Sequence, residues 1–254
     1  MFRPIMRSVQ ADCLSNGIAI GWAPNLPGGL RTLWSHIRNK DLCTDKSSFD
    51  WTVQPWMMEF VAELFSSLVD PANSTVVYNH CCSMLGAKTF TAPGVSFHHP
   101  HDGVLPSGWK LTILVNSILQ LSFHELAGGI GSIIAMGDDT IQDRVDNTPA
   151  YMEALSRLGP LIKVATIGHE FCGMEFTAEK YLPVYLEKHS YALRHLKASV
   201  AVETLASYQY LYAYDNARLA AIQDWMRQLG SPDLVKPRLQ LQFEPRGWSI
   251  PISY

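Results

Sequence analysis

Ile133-Ile134-Ala135-Met136-Gly137-Asp138-Asp139-Thr140-Ile141 decides the fold, because an apolar run stops at one glycine and two acids and then resumes. Short apolar runs broken by such a turn predict a buried β-hairpin with the carboxylates at its tip. Acidic residues in a turn are usually only solvated. A pair at the tip of a buried hairpin, facing a groove, also has the right oxygen donors for Mg²⁺. A third carboxylate on a neighbouring strand would complete such a site.

Upstream, Asp45-Lys46-Ser47-Ser48-Phe49-Asp50-Trp51 supplies it. Met57, Val61, Leu64, Phe65 and Leu68 then fall on one face of an amphipathic helix, so Asp45 is expected to end a short strand and Asp50 to lie near a helix start. The spacing between the two acids allows different roles. Asp45 can ligate metal while Asp50 reaches toward a sugar.

Between these segments lie Ser107-Gly108, Thr112 and Asn116-Ser117. Leu111, Leu114, Val115, Ile118 and Leu119 make a buried helix face, and Thr112 and Asn116 sit one turn apart on another. Such a stripe is often just the polar side of an amphipathic helix. Behind a flexible Ser107-Gly108 loop, and together with Asp50, it can instead hydrogen-bond a ribose 2′-hydroxyl, the donor and acceptor that marks a ribonucleotide. The reaction uniting these parts is nucleotidyl transfer, in which two divalent ions activate a 3′-hydroxyl and stabilise the departing pyrophosphate.

The order and spacing resemble motifs A, B and C of the RNA-dependent RNA polymerases of positive-strand RNA viruses. Motif A (DxxxxD) is matched by Asp45 and Asp50, motif B (SGxxxTxxxN) by Ser107, Gly108, Thr112 and Asn116, and motif C (GDD) by Gly137, Asp138 and Asp139. A lone GDD arises by chance in roughly a few per cent of chains of this length, so specificity lies in the ordered set. Phe49-Asp50-Trp51-Thr52-Val53-Gln54 is similar to sobemovirus and polerovirus enzymes, which usually carry glycine where this chain has Ser48. Leu158-Gly159 with Lys163 resembles motif D, whose lysine would protonate the leaving pyrophosphate. Glu170-Phe171-Cys172-Gly173 resembles motif E, a primer-grip hairpin, and Arg3-Pro4-Ile5 resembles the end of motif F, making Arg3 a triphosphate contact.

The resemblance implies an α+β fold, a right-hand polymerase palm of antiparallel sheet and packed helices with a helical thumb and partial fingers. Residues 1–44 read as a fingers remnant and 45–176 as palm, with a fingers insertion at about 70–106. Residues 177–254 read as thumb, helical from Ala178 to about Leu229 and loop-like after Gly230, where Pro237, Pro245 and Pro251 interrupt any period. Mg²⁺, replaceable by Mn²⁺, is the implied cofactor, at Asp45, Asp138 and Asp139. RNA template, nascent RNA, ribonucleoside triphosphates and other viral replication proteins are the implied partners. The alternatives are a catalytically silent piece of such an enzyme, serving as a structural or RNA-binding part, and a reverse transcriptase. Asn116 with Asp50, and Gly137 before the acids, argue against the latter.

Composition frames this without deciding it. The 254 residues, 47% hydrophobic, can bury a substantial core. A net charge of -3 and a pI near 6.3 exclude a protein that binds nucleic acid over its whole surface, so any RNA groove is local, and the resemblance implies that much of it comes from fingers upstream of residue 1. Cys13, Cys43, Cys81, Cys82 and Cys172 lack disulfide spacing and point to a reducing compartment. No signal peptide and no apolar run of about eighteen residues is present. The resemblance therefore implies host cytoplasm, in replication complexes held at membranes by other proteins. His80-Cys81-Cys82 and His98-His99-Pro100-His101 invite a zinc reading, but no C-x-x-C pair accompanies them. They read instead as strands around Val76–Cys82 and Lys88–Phe97. Tyr208, Tyr210, Tyr212 and Tyr214 have the rings to stack on bases, but at helical spacing they read as packing.

Overall fold

The computed structural model describes residues 2–99 and 101–248, which divide into two compact units. The first comprises residues 2–21 and 40–167, the second 22–39 and 168–248. Residues 168–176, which the motif order groups with the palm segment, pack with the second unit.

The first unit is built on a four-stranded antiparallel sheet. In chain order it contains helix α1 (Arg3–Ala11), strand β1 (Leu42–Lys46), and helices α3 (Phe49–Thr52), α4 (Pro55–Ser67) and α5 (Pro71–Leu85). Hairpin strands β2 (Lys88–Ala92) and β3 (Val95–His99) follow, then α6 (Thr112–Leu126), β4 (Ile133–Met136), β5 (Asp139–Gln142), α7 (Thr148–Arg157) and β6 (Ile162–Ile167). Helix α2 (Gly29–Ile37) belongs to the second unit. The sheet order is β4-β5-β1-β6. Residues 17–19 cover the free edge of β4, with Ala19 N donating to Ala135 O and Ala135 N to Gly17 O, both at 2.9 Å. An edge covered in this way does not offer itself to another chain.

Strand alternation puts Leu42, Thr44 and Lys46 on one face of β1 and Cys43 and Asp45 on the other. Leu42 joins the core in which Met57, Val61 and Phe65 of α4, Val77, Cys81 and Leu85 of α5, and Leu114, Val115, Leu119 and Phe123 of α6 are all buried. Phe49 meets Phe123 edge-on, ring centroids 5.9 Å apart. The expected apolar face of α4 thus exists, except that Leu68 falls just past the helix end and is exposed. The hairpin carrying the acids forms as expected, with Met136 opposite Asp139 and Gly137-Asp138 as the turn.

One expectation fails here. Val76–Cys82 is not a strand but the middle of α5. Asp70 caps that helix by accepting from Ala72 N at 2.8 Å, Pro71 opens it, and Val77, Cys81 and Leu85 recur at helical spacing toward the core. Val76, Val77 and Tyr78 have strand propensity, but the Asp70-Pro71 start and the helical spacing of the buried residues prevail. The second expected strand is the β2–β3 hairpin. Cys81 lies in the core, where burial pushes its thiol up to about 11, and His80 packs between Phe2 and Trp109.

The second unit joins α2 to a three-stranded sheet of β7 (Glu170–Phe171), β8 (Met174–Phe176) and β9 (Tyr181–Pro183). Helices α8 (Leu186–Arg194), α9 (Ala201–Leu211), α10 (Asn216–Gln228) and α11 (Arg238–Phe243) complete it. Trp22 donates Nε1–H to Gly29 O at 2.9 Å and packs on Phe171 and Phe176. The helical stretch begins later than the sequence suggests, after β9, and the tail is not all loop. Pro237 precedes α11, whose Leu241 is buried with Ala213 and Leu219. Six residues are too few to show a period, so only packing reveals this helix. Pro251 lies outside the described residues. The tyrosines pack: Tyr212 is buried, His189 sits against Tyr208 and Tyr212, and Tyr214 meets Tyr181 at 5.0 Å.

Ser48 takes the left-handed conformation, φ 49° and ψ 44°, on the exposed corner between β1 and α3. A β-carbon there costs about 1–2 kcal/mol, against about 0.5–1 kcal/mol of extra unfolded-state freedom for glycine. Ser48→Gly should therefore stabilise the chain by about 0.5–1 kcal/mol in denaturant unfolding. A loss of stability would show that the corner is not strained.

Candidate active site

Antiparallel pairing brings the sequence motifs together. Thr44 stands opposite Thr140, so Asp45, the next residue of β1, comes beside the turn of the β4–β5 hairpin that carries Asp138 and Asp139. The turn itself needs glycine. Gly137 has φ 68°, which an L side chain rarely adopts. Burial, with Asp45 and Asp50 nearby, holds the Asp138 carboxyl above the usual range, opposed by its own backbone N–H and by Lys46.

Asp50, in α3, is tied to α6 where Asn116 Nδ2–H donates to its Oδ1 at 3.1 Å. Its carbonyl accepts from Leu105 N at 2.9 Å, which fixes the loop leading to Ser107-Gly108. That loop is exposed, and Gly108 has φ 97°. The Thr112 hydroxyl is directed into the same loop, 2.7 Å from Pro106 O and 2.8 Å from Trp109 O. Thr112 thus shapes the loop at the helix start, while Asn116 and Asp50 form the polar pair.

Lys163 reaches the site through a bulge. Asp45 pairs with Val164 and Lys46 with Ile162, leaving Lys163 as the extra residue of β6. A bulge re-aims the side chain it carries, and Lys163 Nζ lies 2.8 Å from Asp45 Oδ2. Arg3 is not part of this assembly. It is exposed at the start of α1, beside Phe2, which packs on Phe65 and His80.

Two further residues, to which the sequence alone assigns no role, belong to the site. Ser117, fully buried, accepts from Gly137 N at 2.9 Å and donates to Ile113 O at 2.7 Å, so one hydroxyl pins the acidic turn to α6. It follows Asn116 directly, and a small hydroxyl on the buried side of a helix was the available signal. Lys46 lies buried under the turn. Burial pulls its ammonium down to about 7 against the opposing pull of Asp138, Asp139 and Asp45.

The donor set suits a hard divalent cation, which favours carboxylate oxygens. Asp45, Asp138 and Asp139 are all carboxylates, and the burial that disfavours charge on Asp138, with Asp45 and Asp50 adding to it, is what a cation would offset. Among the described residues no three acidic, His or Cys side chains already form a closed cluster. Asp45 is turned to Lys163 instead, so a bound ion would draw it from that pair.

The family model described as viral RNA-dependent RNA polymerase matches residues 1–140. The chain belongs to that family. It is 32% identical over 159 residues to Protein P1-P2 of Turnip yellows virus (isolate FL-1), a match covering 59% of this chain and 14% of that protein. It is 29% identical over 135 residues to the Replicase polyprotein P2AB of Cocksfoot mottle virus, covering 50% of this chain and 14% of that protein. These are a polerovirus and a sobemovirus replicase protein, the groups that Phe49–Gln54 resembles. The chain therefore spans about a seventh of the length of these curated relatives. Among solved structures it resembles the Sicinivirus 3Dpol RNA dependent RNA polymerase, with a TM-score of 0.70 and 15% identity over 96% of this chain and 59% of the other. The fold of this polymerase family member is accordingly that of a partial right hand.

Ser117→Ala should lower stability by about 1–3 kcal/mol, because it leaves the buried Gly137 N–H without an acceptor. Denaturant unfolding checks this; a change within about 0.5 kcal/mol would mean that the hydroxyl does not hold the turn.

Proposed function

We propose that this chain is the palm and adjoining thumb of a viral RNA-directed RNA polymerase that adds ribonucleotides to an RNA 3′ end on an RNA template. One observation carries the reading. The sheet register sets Asp45 beside the Asp138-Asp139 hairpin, while the Asn116–Asp50 hydrogen bond sits on the neighbouring helices. The folded chain thus has both the acids that phosphoryl chemistry uses and a polar pair suited to a sugar hydroxyl.

In this reading Asp45, Asp138 and Asp139 hold Mg²⁺, or Mn²⁺ in its place. Bound there, the metal lowers the pKa of the attacking 3′-hydroxyl and neutralises charge on the phosphates. Asp50 and Asn116 orient the incoming ribose, Asn116 donating and Asp50 accepting. The Ser107-Gly108 loop, held by Thr112, flanks it. The 3′-hydroxyl gives its proton to solvent as the bond from the 3′-oxygen to the α-phosphorus forms and the bridge to the β-phosphate breaks, and Lys163 transfers a proton from Nζ to the departing pyrophosphate. Its pairing with Asp45 has to open for this, and its place on a bulge with 61% of the side chain exposed leaves it room to swing.

A second reading, a piece that is silent without the rest of the replicase, is favoured by the small share of its relatives that the chain spans. Metal-dependent incorporation of labelled ribonucleotide on a primed RNA template separates the two. Asp138→Ala should remove incorporation by at least two orders of magnitude, as loss of a metal ligand does, with folding intact because the side chain sits in a turn. Incorporation surviving in the folded variant would sink the polymerase reading, and silence in both chains would favour the second. Asn116→Asp should narrow the preference for ribonucleotides over deoxyribonucleotides by roughly ten-fold or more, the usual scale for a lost sugar hydrogen bond. An unchanged ratio would remove Asn116 from sugar recognition.

A further inference from the structure

Lys46 lies buried beneath the acidic turn and takes no part in the proposed reaction. Its Nζ donates to Thr44 Oγ1 at 2.6 Å, to Thr140 Oγ1 at 3.0 Å and to Asp138 O at 3.3 Å. Three acceptors match the three N–H donors of an ammonium group. All three are uncharged, so the charge is solvated by dipoles and is not cancelled by a bonded carboxylate. The two threonine hydroxyls also touch each other at 2.6 Å, which closes a buried polar knot across β1 and β5. Alternation sends Asp45 to the opposite face of β1, so the ammonium lies behind the acids while the groove lies before them.

A buried cation is retained in a sheet only at a cost in desolvation, and here it stands where it acts on the acids. Its bond to the Asp138 carbonyl sets it directly behind the turn that carries Asp138 and Asp139, and it follows Asp45 in β1. The residue that carries one carboxylate is thus fixed by the charge that compensates it.

We propose that Lys46 is a positioning residue of the acidic centre, a built-in counter-cation that restrains how tightly Asp45, Asp138 and Asp139 hold a divalent ion and so keeps that ion exchangeable. The inference rests on the metal-centre reading of those acids. A positive charge several ångström from a divalent site weakens binding by roughly ten-fold or more even at the dielectric of water, about 80. Its removal should strengthen binding, whereas loss of a merely structural residue would weaken binding or leave it alone.

The test is Mn²⁺ binding by the whole chain at pH 6.5, followed by the electron paramagnetic resonance signal of free Mn²⁺, with thermal unfolding in parallel. Lys46→Met removes charge and donors with little change in length; Lys46→Gln removes charge but keeps an amide donor, so either variant that folds is informative. Each should bind Mn²⁺ roughly ten-fold more tightly, while Thr140→Val, which keeps the charge and breaks part of the knot, should not tighten it. Unchanged or weaker binding in a folded Lys46 variant would overturn the proposal, as would equal tightening in Thr140→Val. Asp138→Ala is the control: if it binds Mn²⁺ as the parent chain does, the metal-centre reading itself fails and takes this inference with it.

Discussion

The pairing of β1 with β5 is the constraint from which the rest follows. Thr44 faces Thr140 with their hydroxyls 2.6 Å apart, and that register sets Asp45 beside the acidic hairpin. Side chains alternate along a strand, so a slip of one residue would turn Asp45 inward and Lys46 out to the groove. Both the core and the candidate centre depend on avoiding it. Leu42, on the same face as Thr44 and Lys46, joins the apolar cluster with α4, α5 and α6, and its burial locks the register that the acids require.

Gathering acids at one end of a sheet raises an electrostatic problem, and at Asp138 burial first, then Asp45 and Asp50, pulls the carboxyl upward. The chain answers it with lysines on both sides. Lys46 works from within, desolvated and held by hydroxyls and a carbonyl, and Lys163 from the open side, through a bulge that aims it at Asp45. The two differ in kind. An exposed pair contributes little to stability and opens readily, which suits a group that has to move, whereas a buried ammonium with every donor satisfied is fixed.

The second unit uses polar aromatics as structure. Tyr181 and Tyr212 are buried and Tyr208 and Tyr214 half-buried, and each hydroxyl or ring edge finds a partner, such as Tyr181 Oη to Tyr210 O at 2.9 Å and Tyr214 Oη to Gln242 O at 2.7 Å. Partnered hydroxyls are what make a tyrosine acceptable in a core. A row that suggests a stacking platform therefore serves to dock α11 and β9 against α9 and α10.

The sequence by itself determined the elements that announce themselves locally. The Gly137-Asp138 turn declares its hairpin because only glycine takes φ 68° comfortably, the buried face of α6 follows from spacing, and the ordered motifs identify the family. It misjudged α5, where residues with strand propensity sit in a helix that Asp70 and Pro71 start, and it missed α11, which is too short for a period. Only the tertiary structure decided what Ser117, Lys46 and Lys163 do. Ser117 meets Gly137 across 20 positions, Lys46 meets Asp138 across 92, and Lys163 meets Asp45 across 118. Such contacts leave no trace in local periodicity, because register, a bulge and the packing of α6 bring their partners together.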